Sequence, residues 1–403
     1  MICSGLNLRC WGQRLAKALV THRLCLITVC LVAALTTSCA LPQVSAEERL
    51  FLPLSLEFLD EYQIPSDLEV DGMPVRGLSA LAYDRQRDRL YALSDDRGNV
   101  APARFYTLQF VLDRNQAEMP RIEAIAVESA TLLRPETGEP YPAGTIDPEG
   151  LALSSRDTLF IASEGDASKG IPPFINEFSL ETGELLDALP VPQRYLPAAE
   201  ADSPRGVQNN KGFEALTISA AGRGVGRLEP FRVFAGIEEP LQQDAPPADA
   251  SQPTSGRLLH YLVGEDQGTL LAEHLYPINP KPFGAVDNGL VELVVLDQGG
   301  HLLSMERSYG LAGVGVKLFQ IAMGDATDTS QIEQFGEDVS GIQPIRKRLV
   351  LDLNDLGISL DNLEGMTLGP LLPDRTPSLI LVSDDNFSAD QITQVLLFRL
   401  RGL

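Results

Sequence analysis

Carboxylates recur in this chain where short apolar runs begin and end, and carboxylates brought together can bind a cation or pass a proton. Four segments align: Leu78-Ser79-Ala80-Leu81, Pro148-Glu149-Gly150-Leu151, Phe213-Glu214-Ala215-Leu216 and Leu363-Glu364-Gly365-Met366. Their second positions are 70, 65 and 150 residues apart, so the last interval has room for one further unit of about 75 residues. A second element follows three of them. Ser94-Asp95 comes 15 residues after Ser79, Ser163-Glu164 comes 14 after Glu149, and Ser383-Asp384 comes 19 after Glu364.

If the repeats wind about a common axis, equivalent positions meet. Glu149, Glu214 and Glu364 are then candidate catalytic acids, and Asp95, Asp96, Glu164, Asp384 and Asp385 are candidate ligands of a metal ion. Carboxylates gathered in this way repel one another unless they share a cation or a proton. Oxygen donors without cysteine or clustered histidine select calcium or magnesium over zinc or copper, and calcium is the expected ion. The plainer role for any one of these acids is to accept backbone amides at the end of a strand. Arg76, Arg97 and Lys211 adjoin the repeated segments and are candidates for holding an anionic substrate group, or for neutralising the acids beside them. There is no G-x-S-x-G segment. His260, His274 and His301, the histidines outside the first 46 residues, stand beside none of the repeated motifs and are expected to have no catalytic part.

The elements that must position these residues are short strands. Runs such as Arg89-Leu90-Tyr91-Ala92-Leu93, Thr158-Leu159-Phe160-Ile161-Ala162 and Leu290 to Leu296 are separated by Gly, Pro, Asp and Asn, the pattern of strands and tight turns. A unit of strand, turn, strand and then an acid, repeated every ~65 to 75 residues, cannot bury both faces of its own small sheet and must pack radially against its neighbours. The expected fold is all-β, a β-propeller. Dividing the mature length by the shorter period gives about five to six units; six blades are expected, with seven as the alternative.

Residues 1–46 read as a leader. Their charges are Arg9, Arg14, Lys17 and Arg23, followed by an apolar run from Leu24 to Leu35, the length of a signal-peptide core. Val44-Ser45-Ala46 offers an ordinary cleavage site, while Leu35-Thr36-Thr37-Ser38-Cys39 resembles a lipoprotein signal with its leucine displaced by one place. The protein is thus expected to be exported, periplasmic or anchored to the outer membrane by lipid at Cys39, with no other membrane contact. All five cysteines lie in this leader, which excludes disulfides, thiol chemistry and cysteine-ligated zinc from residues 47–403. Residues 47–403 are read as one domain, with a mobile surface insertion at 240–256, where Pro, Ala, Ser and Gln dominate.

The whole chain has 32 basic and 55 acidic residues; losing the four leader cations leaves 28 against 55, a net charge of −27. Such a surface repels nucleic acid and suits divalent cations. A monomer acting on a small molecule is expected.

Taken in order, Gly77 to Asp84, Tyr91 to Asp96, Asp147-Pro148-Glu149-Gly150-Leu151, Ile161 to Gly165, Asn210-Lys211-Gly212-Phe213-Glu214, Asn362-Leu363-Glu364-Gly365 and Ser383 to Phe387 resemble the phytase-like family named for an esterase-like activity of phytase. The resemblance implies an exported β-propeller that hydrolyses phosphoric or carboxylic esters. It supplies no agreed catalytic set, and the lysine- and arginine-rich phosphate grip of calcium-dependent propeller phytases has no counterpart here. Two functions follow as expectations: a metal-assisted ester hydrolase, or a non-catalytic envelope propeller that binds a ligand or a protein partner.

Overall fold

In the computed structural model, alternating apolar runs form strands of 4 to 12 residues, and each group of four strands makes one antiparallel sheet. The structure describes residues 49–403, apart from 114–117, 199–203, 220–228, 245, 247–250, 266, 297–299 and 312, together with His22 and Ser45. The expected leader and Cys39 lie outside the described residues, apart from those two positions.

Among the described residues there are five four-stranded blades. Listed from the axis outward, blade 1 is Leu78–Asp84, Arg89–Ser94, Arg104–Asp113 and Arg121–Leu132. Blade 2 is Pro148–Leu153, Thr158–Ser163, Phe174–Ser179 and Leu185–Ala188. Blade 3 is Phe213–Ile218, Phe231–Ile237, Thr254–Val263 and Gly268–Ile278. Blade 4 is Ala285–Val295, His301–Gly310, Gly313–Ala322 and Arg346–Asp352. Blade 5 is Asn362–Leu371, Pro377–Asp384 and Thr393–Arg401, completed on its outer edge by the N-terminal strand Ser55–Ile64. The five inner strands touch in cyclic order.

The expectation of six or seven blades is therefore corrected to five. The interval between Glu214 and Glu364 holds one inner strand, and the segments before Leu78 and after Asp384 share a single blade instead of making one each. Ser55–Ile64 pairs with Thr393–Arg401 from Ser55↔Arg401 to Ile64↔Thr393, so the ring is closed by the two ends of the sequence.

Packing follows the blades. Five buried apolar clusters occupy the five blade interfaces, for instance Phe160, Val207, Phe213 and Tyr261 between blades 2 and 3, and Ala215, Tyr276, Leu290 and Phe319 between blades 3 and 4. Full burial of each large apolar side chain contributes about 1.5–3 kcal/mol, so these interfaces are the main force holding the ring. Near the axis the inner strands come very close. A Cβ on Gly150 would lie 2.5 Å from the Glu214 carbonyl oxygen, which is why small residues stand at this place in four of the five blades. Below it Leu81, Leu151, Leu216, Leu293 and Met366 surround a cavity of about 40 Å³, enough for little more than water.

The ends of the Pro-rich insertion are built into blade 3. Leu241 is buried, Asp244 makes a buried ion pair with Arg257 at 2.7 Å, and Thr254 already begins a strand.

Candidate functional site

Each inner strand is interrupted by a register shift of one residue, near its start in four blades and at mid-strand in blade 4: between Leu78 and Ala80, Pro148 and Gly150, Phe213 and Ala215, Leu290 and Glu292, and Leu363 and Gly365. The residues left out of the ladder are Ser79, Glu149, Glu214, Val291 and Glu364. A bulge re-aims the side chain that it displaces. The repeated second position of the sequence motif is thus a bulge in every blade, with carboxylates in blades 2, 3 and 5.

A second ring is set by the adjoining strand. Leu78 pairs with Ser94, Pro148 with Ser163, Phe213 with Ile237, Leu290 with Glu306 and Leu363 with Ser383. The residues that follow these partners are Asp95, Glu164, Glu238, Arg307 and Asp384. Blade 4 therefore places an arginine where the other four place an acid. In blade 2 the residue before the motif is Asp147, where blades 1, 3 and 4 have Gly77, Gly212 and Gly289. The glycines leave room for neighbouring acids: a Cβ on Gly289 would lie 2.4 Å from Glu238 Cγ.

The mouth so formed gathers eight carboxylates, Asp95, Asp147, Glu149, Glu164, Glu214, Glu238, Glu364 and Asp384, against Arg97, Lys211 and Arg307. Arg97 Nε lies 2.6 Å from Asp147 Oδ1, too bent for a good hydrogen bond, and Arg97 also pairs with Asn210. Lys211 pairs with Glu238 at 2.8 Å and with Asp287. Arg307 reaches Glu238 at 3.1 Å, Glu364 at 3.4 Å and the Asn362 Oδ1 at 2.6 Å.

Several acids have too few donors. Oδ2 of Asp147, Oδ1 of Asp95 and Oε2 of Glu214 are buried with no hydrogen-bond partner, and Oδ1 of Asp147 has only its bent contact with Arg97. Glu164 Oε1 accepts the Gly212 amide at 2.7 Å, Asp384 Oδ1 accepts the Asn386 amide at 2.7 Å, and Glu364 accepts Asn362 Nδ2 at 2.9 Å. Burial, followed by repulsion from the neighbouring acids, holds Asp95, Glu149, Glu164, Glu214 and Asp384 well above the usual carboxylate range. Burial also pushes Asp147 up to about 6, against the opposing pull of Arg97. Burial raises Glu364 as well, with Arg307 opposing it.

Two sets of three acids have ligand oxygens within 4.8 Å of one another: Asp147, Glu149 and Glu164, and Glu164, Glu214 and Glu238. Such an oxygen-only set fits a hard divalent cation, and the donorless oxygens of Asp147 and Glu214 are those a cation would complete.

Three of the sequence candidates have other work. Asp96 accepts the amides of Asn99, Val100 and Ala101 and makes a buried ion pair with Arg104 at 2.9 Å. Asp385, fully buried, accepts from Arg76 at 2.6 Å, from the amides of Gly77 and Phe387 and from Thr393 Oγ1. Arg76 in turn donates to the Ser388 carbonyl at 2.6 Å, so Arg76 and Asp385 latch blade 5 to blade 1 where the ring closes. Asp96, Asp385 and Arg76 are thus occupied in holding loops, away from the candidate ligand and substrate roles read from the sequence.

The residues that sequence reading missed are Asp147, Glu238, Arg307 and Glu292. Glu238 follows a strand-like run as Asp95 and Glu164 do, but with Ile237 in place of serine the Ser-acid pattern is lost. Glu292 stands where other blades have Gly or Ala, and accepts the amides of Leu293 at 2.9 Å and Leu216 at 3.3 Å; burial holds its carboxyl well above the usual range. His260 stacks on Phe234, His274 bonds the Thr327 carbonyl and His301 meets Gln320, none of them among the mouth acids.

The family profile described as phytase-like, esterase-like activity of phytase, matches residues 73–387, which run from just before blade 1 to the loop beyond Asp385. The chain belongs to the phytase-like family. No curated protein matches this phytase-like chain in sequence. Among solved structures it is similar to an endo-arabinase from Bacteroides thetaiotaomicron, 10% identical, with 84% of this chain and 96% of that one covered and a TM-score of 0.41. It is also similar to the calcium-binding protein regucalcin from Agrobacterium tumefaciens, 11% identical, covering 83% and 94%, TM-score 0.34. A third is the catalytic domain of a Coprinopsis cinerea GH62 α-L-arabinofuranosidase, 8% identical, covering 86% and 97%, TM-score 0.36. Likenesses this loose say nothing about substrate or ligand.

Proposed function

We propose that this phytase-like protein is an exported, cation-assisted hydrolase of small phosphoric or carboxylic esters, with calcium as the cation and the acidic mouth as its site. The observation that carries the reading is the imbalance there: eight carboxylates against three cationic side chains, with buried oxygens, Asp147 Oδ2, Glu214 Oε2 and Asp95 Oδ1, that have no hydrogen-bond partner. Leaving such groups unpaired costs about 1–3 kcal/mol each even before charge is counted. A bound divalent ion would relieve that cost, polarise the ester oxygen and acidify water.

The chain's own residues then divide the work. Glu149, partly exposed at the mouth, stands with Asp147 and Glu164 in a set of acids that would hold the cation beside the ester, and burial raises its carboxyl while that set is without one. Glu214 and Glu364 hold position beside it, Glu364 being tied to Arg307. Arg97, a third exposed at the rim, is placed to orient an anionic group, and Lys211, four-fifths buried, holds Glu238 in place. The reading includes export through the 1–46 leader, as a soluble periplasmic monomer or one tethered at Cys39.

The test is release of p-nitrophenol from its phosphate and short-acyl esters by residues 47–403, with calcium and with chelator. Turnover that needs calcium and falls in a folded Glu149→Gln variant is the expected result. Absence of turnover on both ester classes with calcium present would overturn it. The second reading, a propeller that binds a ligand or partner without catalysis, is favoured by how closed the acids are: Glu164, Glu214 and Asp384 are 2%, 5% and 2% exposed. On that reading Glu149→Gln combined with Glu364→Gln changes no turnover, and any loss of stability comes from the weakened Arg307 pair of Glu364.

A further inference from the structure

We propose that the mouth binds two hard divalent cations bridged by Glu164, one between Asp147, Glu149 and Glu164 and the other between Glu164, Glu214 and Glu238. The inference rests on the reading of the mouth as a cation site and fixes its number and ligands.

Glu164 belongs to both sets of three, and among the described residues no set includes both Asp147 and Glu214. Oxygens that share one calcium sit about 2.3–2.6 Å from the ion and hence at most ~5 Å from one another, which each set satisfies and their union does not. Each set also has its own unpartnered, buried oxygen. Asp147 is 2% exposed with Oδ2 unpartnered and Oδ1 facing only Arg97, and Glu214 is 5% exposed with Oε2 unpartnered. A single ion would satisfy one of these and leave the other orphaned.

Charge favours two ions over one. With every acid ionised, the eight carboxylates and the Asp287 paired with Lys211 outweigh Arg97, Lys211 and Arg307 by six charges; one divalent ion brings this to four and two bring it to two. Glu164 is held as a bridge must be, its Oε1 anchored by the Gly212 amide at 2.7 Å, while Arg97 pairs with Asp147 of one set and Lys211 with Glu238 of the other. With no cysteine or histidine among the ligands, calcium or magnesium is the class of ion.

The test is calcium titration of the full chain, stripped with chelator and dialysed, by calorimetry and by equilibrium dialysis with radioactive calcium. Two ions per chain are expected in the unaltered protein, and one each in Asp147→Asn and in Glu238→Gln. Glu164→Gln should weaken both ions together by more than about tenfold, the scale that even an indirect contact to a metal is worth. One ion per chain in the unaltered protein overturns the paired site and leaves the proposed function standing. No ion overturns both. Two ions that Glu164→Gln leaves unchanged overturn the bridge.

Discussion

Replacing Asp147 by asparagine should stabilise the protein in chelator at neutral pH and destabilise it in calcium. Burial raises this carboxyl to about 6 from an ordinary value of 3.8. A carboxyl raised on folding carries no penalty below its unfolded pKa, where it is protonated in both states. The penalty grows as pH rises through the interval and is complete above the folded value. Roughly two pH units correspond to about 3 kcal/mol. The compact unit is Phe51–Leu403, and at about 2.1 cal/mol/K per residue its unfolding entropy is ~0.7 kcal/mol/K, so the effect on Tm is about 4 °C. Asparagine cannot ionise and escapes the penalty. His260, lowered to about 4 chiefly by burial, titrates in part of the same range but is common to both proteins and cancels in the comparison.

The assay is differential scanning calorimetry from about pH 4 to pH 8, in chelator and in excess calcium. In chelator the two proteins should melt together at the acid end, with Asp147→Asn about 4 °C higher at the alkaline end. In calcium the order should reverse, because the variant has lost a ligand. A variant that melts below the unaltered protein at pH 8 in chelator would show that Arg97 already compensates the charge and that ionised Asp147 carries no penalty.

Arg76→Ala should destabilise by about 2–4 kcal/mol, because it strands the fully buried Asp385 at the ring closure, while calcium binding is unchanged; urea unfolding and calorimetry measure the two. Asp96→Asn should likewise lower stability, since it weakens the buried pair with Arg104 and the hold on three amides, and leave calcium affinity as it was; a loss of bound calcium would return Asp96 to the ligand set. Glu292→Leu should cost about 1–3 kcal/mol for each amide left unpaired, and Glu292→Gln much less, because the amide oxygen can still accept; thermal unfolding of the pair separates them.

The propeller and its acidic mouth were legible in the sequence because each bulge needs the same local wording. Glu149, Glu214 and Glu364 follow an apolar or proline residue and precede Gly or Ala, since the next blade's backbone leaves no room for more. Blade 4 was illegible for the same reason: Leu290-Val291-Glu292-Leu293 keeps the bulge but moves its acid by one place, and Glu306-Arg307 replaces Ser-acid with the opposite charge. With its motif unreadable, that blade showed only as room for one further unit in the 150-residue interval, and dividing length by the shortest spacing overcounted the ring. Strand pairing between Ser55–Ile64 and Thr393–Arg401 joins residues more than 300 apart, which no local pattern reveals. Adjacent acids could not be told apart by type either. Asp95 and Asp96 differ by one step along the chain, yet alternation sends one to the mouth and the other to Arg104.

The most direct measurement is anomalous diffraction from crystals of the protein soaked in calcium. Peaks are expected among Asp147, Glu149, Glu164, Glu214 and Glu238, with ligand oxygens about 2.3–2.6 Å from each ion. A mouth holding only water, with its carboxylates protonated and hydrogen-bonded to one another, would contradict the cation site.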